Sequence, residues 1–551
     1  MVKDPSRNET QLCKSNEISV QPTICSAIID GLQTRIANLE TAIIKGYSGI
    51  QLIGHTAEIC EDGKERAKSA LSHMGVDIPE RKIIINISPA DIKKNHNHFD
   101  LPMAIALWSL VTEPKLRIKV DRWVFIGELG ISGSIKPVKG VISIALCAAQ
   151  NNFEGIIVPK DNLAELKDLT RFNIPKLSNL NILGFEHCGE VLNWLVAGTC
   201  QDNINPMISK PKLIYTPNFD DMVLTKQQKL AAETVAAGRH SLLLRGTPGT
   251  GKSMFAARIP ALMPNMSPQE HLEALEIKTA FFHDIPCSLL QGIPPFRDPH
   301  HQASASAILG NADHPGELSL AHGGILFLDE LPEFKRDLLE ALREPLQTGE
   351  IKVSRAQKKI AWKCRTLFIA ACNNCPCGWI GSKKNRCSCS GAVLVKYNNR
   401  LSGPILDRIE IHFEMPENTE QTQLLMPQES LSGQTKVMRD RVDHAIRISH
   451  ERNNFFGIKW NNELTQRQIA QVSGYSQEAF IKLIESWELK RLTTRSLLNW
   501  LKVARTLADL RNSNKIDTED LEFSWQWRHQ NQQLPNPIAR THSFINSRKS
   551  F

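Results

Sequence analysis

The sequence predicts an α/β protein of several domains, built around a nucleotide-binding parallel sheet. Three observations carry that expectation. The octapeptide GTPGTGKS at 246–253 follows the apolar run Leu242, Leu243, Leu244 and precedes the helix-like stretch MFAARIPALM. A second apolar run, residues 324–328, ends in Asp329 and Glu330. The length, 551 residues with 41% hydrophobic, suits roughly three or four domains.

The octapeptide comprises Gly246, Thr247, Pro248, Gly249, Thr250, Gly251, Lys252 and Ser253. Strand, Gly-rich loop and helix occur in the order that G-x-x-x-x-G-K-[ST] requires. The glycines let backbone N–H groups curl inward around phosphate oxygens. Lys252 reaches the β- and γ-phosphates, and the Ser253 hydroxyl is placed to ligate Mg²⁺. The run ending in Asp329 and Glu330 reads as a strand buried on both faces. Carboxylates at its carboxyl end fall where open α/β sheets bind ligands. Asp329 suits the Mg²⁺ shell and Glu330 suits activation of the attacking water. ATP and Mg²⁺ are therefore the expected cofactors.

Composition narrows the class. No apolar stretch approaches the ~18 residues that span a bilayer, and the first ten residues, MVKDPSRNET, lack the apolar centre of a secretory signal. Thirteen cysteines in a long chain point to a reducing cytoplasm rather than a disulfide framework. The net charge of +8 permits a polyanionic partner without requiring one. Along the chain, 1–17 reads as a polar tail. Residues 18–190 alternate strand-like pieces (82–87 and 123–126) with helix-like ones (101–110 and 141–150), an α+β pattern without a phosphate loop of its own. A polar, Pro-bearing linker is expected over 191–218, the nucleotide-binding core over 219–415, a helical block over 416–530 and a tail over 531–551.

Within the core, residues 350–362 alternate apolar and polar positions about a basic turn, a β-hairpin pattern with Arg355, Lys358 and Lys359 at its tip. A charged tip protects a strand edge or contacts a phosphate backbone, and charge patterning alone does not choose between the two. Residues 366–371 form another buried strand, followed by Cys372, Asn373 and Asn374. An Asn at that point orients the attacking water. Arg408 sits near a presumed subunit edge, where an arginine serves a neighbour's nucleotide. Arg495 begins an amphipathic helix whose Leu497, Leu501, Ala504 and Ala508 share a face, and it is placed to reach phosphates from the helical block.

The order of these segments is specific. Phosphate loop, PFRDPHH, GELSLAHGGILFLDELPEF, ALREPLQTGEIKVSRA, the Asn-ended strand, SGPILDRIEIH and TRSLLNWLKVARTLADL resemble the magnesium-chelatase-like AAA+ ATPases and, more closely, the ComM/YifB family. SALSHMGVDIPERKIIINISPADIKK, HFDLPMAIAL and FIGELGISGSIKPVKGV resemble that family's N-terminal domain, of the ribosomal-protein-S5 type shared with Lon protease. The resemblance spans roughly residues 18–530. It implies an S5/Lon-like domain, an AAA+ core and a helical lid, assembled as a homohexamer that binds single-stranded and branched DNA. Branch migration during natural transformation or homologous recombination is the implied activity, with recombination proteins as partners. On that pattern Asn373 is the sensor, Arg408 the finger acting on a neighbour, Arg495 the second sensor, and Arg355, Lys358 and Lys359 face the pore. The chain departs from the pattern at Cys372 and Asn374, where the family has Met and Pro, and at Gly54-His55-Thr56. By motif alignment Met103 and Ile144 stand where a Lon-type Ser–Lys dyad would be, and neither side chain can do that chemistry.

Cys375, Cys377, Cys387 and Cys389 form C-x-C-x₉-C-x-C, a set that suits tetrahedral Zn²⁺ although C-x₂-C pairs are commoner. The remaining cysteines read as packing residues. His300 and His301 are adjacent in sequence, so their side chains diverge and a shared metal is not expected; the resemblance puts them in an insertion near the pore or subunit interface. Two other functions remain open on sequence alone: a metal-insertion ATPase subunit, which a porphyrin would stimulate, and an ATP-gated scaffold, which would bind DNA without moving strands.

Overall fold

The computed structural model describes residues 22–30, 33–54, 58–92, 94, 96–112, 115–170, 177–198, 217–279, 281, 285–311, 314–355, 358–401, 403–417, 432–485 and 493–529. The expected tails, 1–17 and 531–551, and most of the expected linker lie outside them. The chain divides into two compact units, Met1–Ser209 and Lys210–Phe551. Among the described residues no helix is long and apolar enough to cross a membrane.

The first unit is a seven-stranded mixed sheet. Its strands are β1 (Ile24–Asp30), β2 (Gln33–Ile44), β3 (Gly49–Ile53), β4 (Lys82–Ser88), β5 (Trp123–Phe125), β8 (Gly155–Pro159) and β9 (Asn181–Phe185), in the order β3-β4-β2-β1-β5-β8-β9. Two short strands, β6 (Glu128–Leu129) and β7 (Ile135–Lys136), pair separately. Strand β4 shows why the sheet forms: Ile83, Ile85 and Ile87 are fully buried while alternate residues face outward. The expected helices are present as Asp100–Thr112 and Val141–Gln150. Met103 and Ile144 lie on them, both fully buried. Helix Cys188–Ala197 packs Val191, Leu192, Trp194 and Leu195 into this core, so the unit's packing continues past residue 190, the expected boundary.

The second unit holds a five-stranded, all-parallel sheet of β10 (Leu242–Arg245), β11 (Phe296–Arg297), β12 (Ile325–Leu328), β15 (Leu367–Cys372) and β16 (Ile411–Glu414), ordered β11-β12-β15-β10-β16. Strands β12 and β15 are buried along their whole length, as continuous apolar runs demand. The expected hairpin is β13 (Glu350–Arg355) and β14 (Lys358–Lys363), with Arg355 paired to Lys358. The side chains of Arg355, Lys358 and Lys359 lie outside the described residues.

Among the described residues from 432 to 529 the unit is helical. Helix Thr494–Leu510 is capped by Thr493, whose hydroxyl accepts from the Ser496 N–H at 3.1 Å. Leu501, Ala504 and Ala508 are buried as expected, but so are Arg505, Thr506 and Asp509. This helix is enclosed on nearly every side, and its polar residues are satisfied internally. Arg505 donates to Asp509 and to the Val472 and Asn514 carbonyls.

Candidate nucleotide site

The parallel order brings three loops to one end of the sheet. Strand β10 lies between β15 and β16, and Arg245 is in register with both Cys372 and Glu414. The residues that follow each strand therefore emerge side by side. Gly249 and Gly251 adopt φ of +78° and +80°, a left-handed backbone that favours glycine. A Cβ at Gly249 would meet nothing within 4 Å, so the positive φ rather than crowding calls for glycine there. Thr250 Oγ1 donates to the Thr247 carbonyl at 2.9 Å and closes the turn.

Lys252 Nζ donates to the Gly246 and Thr247 carbonyls at 2.9 and 3.0 Å and to Asn373 Oδ1 at 3.0 Å. Burial holds the Lys252 ammonium below its usual range, against the Cys372, Asp329 and Glu330 charges that favour it. Ser253 Oγ donates to Asp329 Oδ2 at 2.5 Å, so the two groups expected to share Mg²⁺ are already in contact. This donor set, a hydroxyl and a carboxylate beside a Gly-rich turn, fits a nucleotide with its Mg²⁺.

Glu330 is one of four described non-glycine residues with positive φ, at +53°. Such a backbone at the end of a buried strand holds the side chain out of the sheet and is costly unless its surroundings enforce it. The Glu330 N–H donates to Asp329 Oδ1 at 2.8 Å, and His301 Nδ1 lies 3.3 Å from Glu330 Oε2. Burial and then the Asp329 charge push the Asp298 carboxyl above its usual range. The His300 and His301 rings lie with centroids 4.1 Å apart, tilted by 32°, so the adjacent side chains do not diverge as the sequence led us to expect. The structure thus gives His301 a place against Glu330 that its sequence position did not reveal. PFRDPHH contains the edge strand β11 itself, and a strand of two residues beside β12 carries no periodic signal that would place His301.

Arg408 and Arg495 come together. Arg408 Nε donates to the Arg343 carbonyl at 3.0 Å and an Arg408 Nη1–H to the Pro404 carbonyl at 2.8 Å. Burial, then the Arg495 and Arg343 charges, hold the Arg408 guanidinium below its ordinary value. Arg495 Nη2 donates to Gln347 Oε1 at 2.7 Å. The Arg343 and Arg495 charges thus reach Arg408, with Asp407 and Glu340 acting the opposite way and Arg343 itself paired with Glu340. Arg343 was not singled out from sequence, because nothing local distinguishes it from a surface arginine.

The four cysteines converge. The sulfurs of Cys375, Cys377 and Cys387 are 3.4, 3.7 and 3.6 Å apart, and all four lie within 4.8 Å of one another. Tetrahedral Zn²⁺ with Zn–S near 2.3 Å needs sulfur separations of about 3.8 Å, so the set fits. Backbone N–H groups of Trp379 and Ser388 draw the Cys377 thiol down to about 6, while burial lifts Cys375 to about 12. Outside this cluster Cys25, Cys60, Cys147, Cys188, Cys364 and Cys372 are buried, as packing residues should be, but Cys287 is exposed.

Comparison with known proteins matches this arrangement. Residues 218–423 fit the family model for magnesium chelatase, subunit ChlI. Residues 39–162 fit the model for subunit ChlI of Mg-chelatase, and 432–528 its ChlI C-terminal model. The YifB protein of Escherichia coli K12 is 34% identical over 503 residues, 90% of this chain and 95% of that protein. The competence protein ComM of Haemophilus influenzae is 33% identical over 496 residues, 88% of this chain and 93% of that one. Lon protease of Mycolicibacterium smegmatis is 27% identical over 169 residues, 29% of this chain and 21% of that protein. With sheet order, phosphate loop and near-full-length relatives in agreement, the chain belongs to the ComM/YifB family of magnesium-chelatase-like AAA+ proteins.

Proposed function

We propose that this protein is an ATP-driven DNA motor, a cytoplasmic homohexamer that moves branched DNA during homologous recombination or natural transformation. The observation that carries the reading is the contact set Lys252–Asn373 and Ser253–Asp329 at one end of the parallel sheet, with Glu330 beside it. When bound, Mg²⁺ supplies positive charge to the transferring phosphoryl group. Lys252 and the 246–251 backbone bind and orient the phosphates, Glu330 takes the proton of the attacking water, and Asn373 fixes that water's position. Arg408 acts on the nucleotide of a neighbouring copy, Arg495 serves as the second sensor from the helical block, and the hairpin tip with Arg355, Lys358 and Lys359 meets the DNA backbone. Cys375, Cys377, Cys387 and Cys389 hold a structural Zn²⁺.

Branch movement of a labelled three- or four-stranded DNA, with ATP, tests the reading. It should proceed with the wild type and stop in both Lys252→Ala and Glu330→Gln. Hydrolysis without movement would sink the motor and favour an ATP-gated scaffold. Stimulation by a porphyrin would favour a metal-insertion subunit instead.

A further inference from the structure

The cysteine loop is built onto the nucleotide site. Only Asn373 and Asn374 separate Cys375 from strand β15. The Asn373 carbonyl accepts from Tyr397 Oη at 3.2 Å, and Tyr397 lies on helix Gly391–Asn398, which begins two residues after Cys389. The loop thus returns to the residue from which it left. Gly378, between the two cysteine pairs, has φ of +84°, and a Cβ there would fall 2.5 Å from Pro248 Cγ. The cysteine loop therefore lies directly against the phosphate loop. Asn374 Nδ2 lies 3.4 Å from the Ile380 carbonyl and 3.5 Å from Glu414 Oε1. Ser382 Oγ and the Lys383 N–H donate to the Glu417 carboxylate at 2.7 and 2.8 Å, just past strand β16.

The loop cannot hold that shape through a core of its own. Between 375 and 389 only Cys375 and Gly378 are buried, and Lys383, Lys384, Asn385 and Arg386 are all exposed. A segment with so little apolar burial needs a cross-link to offset its ordering entropy, and metal binding supplies that as folding free energy.

We propose that Zn²⁺ held by Cys375, Cys377, Cys387 and Cys389 clamps the nucleotide site, fixing Asn373 and Pro248 so that zinc occupancy sets ATP turnover. The proposal rests on the reading of the four thiolates as a zinc site and of 246–253 as an ATP site. It gives this cluster a role in the hydrolysis cycle and not only in local folding.

Zinc content is measured first, on protein purified without chelator, and about one equivalent per chain is expected. Nucleotide affinity is then read with a fluorescent ADP analogue, and turnover with ATP, before and after treatment with a zinc-selective chelator that leaves Mg²⁺ in place. Zinc removal should lower turnover by about tenfold or more, because small displacements of positioning groups cost that much, and zinc added back should restore it. The Cys387→Ser/Cys389→Ser double variant should behave as the chelated protein does. Gly378→Ala keeps all four thiols and should keep zinc while weakening ADP binding. Turnover and ADP affinity unchanged within about twofold after complete zinc removal would overturn the clamp and leave the zinc site standing. Full turnover in wild-type protein carrying well under one equivalent would overturn the zinc reading itself. No hydrolysis by zinc-loaded wild type would instead strike at the ATPase reading.

Discussion

Lys252 Nζ and Asn373 Oδ1 are 3.0 Å apart, although 121 residues separate them in sequence. The contact exists because β10 and β15 are parallel neighbours in register, so the phosphate loop and the expected sensor leave the sheet together. On the proposed function, an arriving phosphate would compete with Asn373 for the same ammonium. Nucleotide binding would thereby be coupled to release of the asparagine toward the attacking water.

That coupling separates two variants. Lys252→Ala should lose binding of a fluorescent ADP analogue altogether. Asn373→Ala should bind it nearly as wild type does, while ATP turnover falls by about 10- to 100-fold, the range for a lost positioning hydrogen bond near a reacting centre. Equal loss of affinity in both variants would reject the assignment of Asn373 to the hydrolytic step.

On the proposed mechanism His301 would support a different part of the cycle. Its Nδ1 lies 3.3 Å from Glu330 Oε2, and Glu330 stands in a left-handed backbone that commits its side chain to that side of the loop. Without the imidazole the carboxylate samples other rotamers and is aligned less often. His301→Ala should therefore lower kcat by about 3- to 10-fold with KM unchanged, and His301→Gln, which keeps a donor, should lose less. A rise in KM at constant kcat would place His301 in nucleotide binding instead.

The parts of the candidate nucleotide site could be singled out in sequence because they are local: a loop between strand and helix, and acidic or amide residues at the ends of apolar runs. Each of Lys252, Ser253, Asp329, Glu330 and Asn373 could be placed without knowing the sheet order. What escaped were contacts created by that order. His301 meets Glu330 because β11 lies beside β12, and short edge strands of two residues carry no periodic signal. The approach of Arg343 and Arg495 to Arg408 has the same origin, since the three come from separate segments. Helix Thr494–Leu510 shows the opposite limit. Its apolar stripe predicts one buried face, but a tertiary network buries Arg505, Thr506 and Asp509 as well, and no periodicity reports that.

Arg408 yields a mixing experiment. Lys252→Ala and Arg408→Ala should each abolish turnover alone. If Arg408 serves a neighbouring copy, mixed rings contain interfaces that join an intact phosphate loop to an intact Arg408. Random assembly from equal parts should restore about a quarter of wild-type turnover, since one interface in four carries both residues. No recovery in rings shown to be mixed would place Arg408 outside the reaction of its neighbour.

Glu270 gives the second unit a defined pH response. Its Oε1 lies 2.9 Å from Arg239 Nη1 and its Oε2 lies 3.0 Å from Lys459 Nζ. The Ser267 N–H donates to the same Oε2 at 3.0 Å. The pair with Arg239 is well enclosed, at 7% and 14% side-chain exposure. Burial alone would raise the Glu270 carboxyl, but Arg239 and Lys459 outweigh it and bring it from 4.5 down to about 2. A carboxyl depressed on folding contributes stability that is complete above its unfolded value. That contribution fades as pH falls from about 4.5 toward 2. The shift corresponds to about 3 kcal/mol at neutral pH. Glu270→Gln cannot ionise and leaves the Arg239 charge enclosed without its partner. Urea unfolding of the wild type and this variant should therefore show a gap of about 3 kcal/mol at pH 7. The gap should narrow by about 1 kcal/mol at pH 4, because the wild type alone loses a proton-linked term over that interval. A gap that stays constant with pH would mean that Glu270 contributes through packing and hydrogen bonds rather than through its charge.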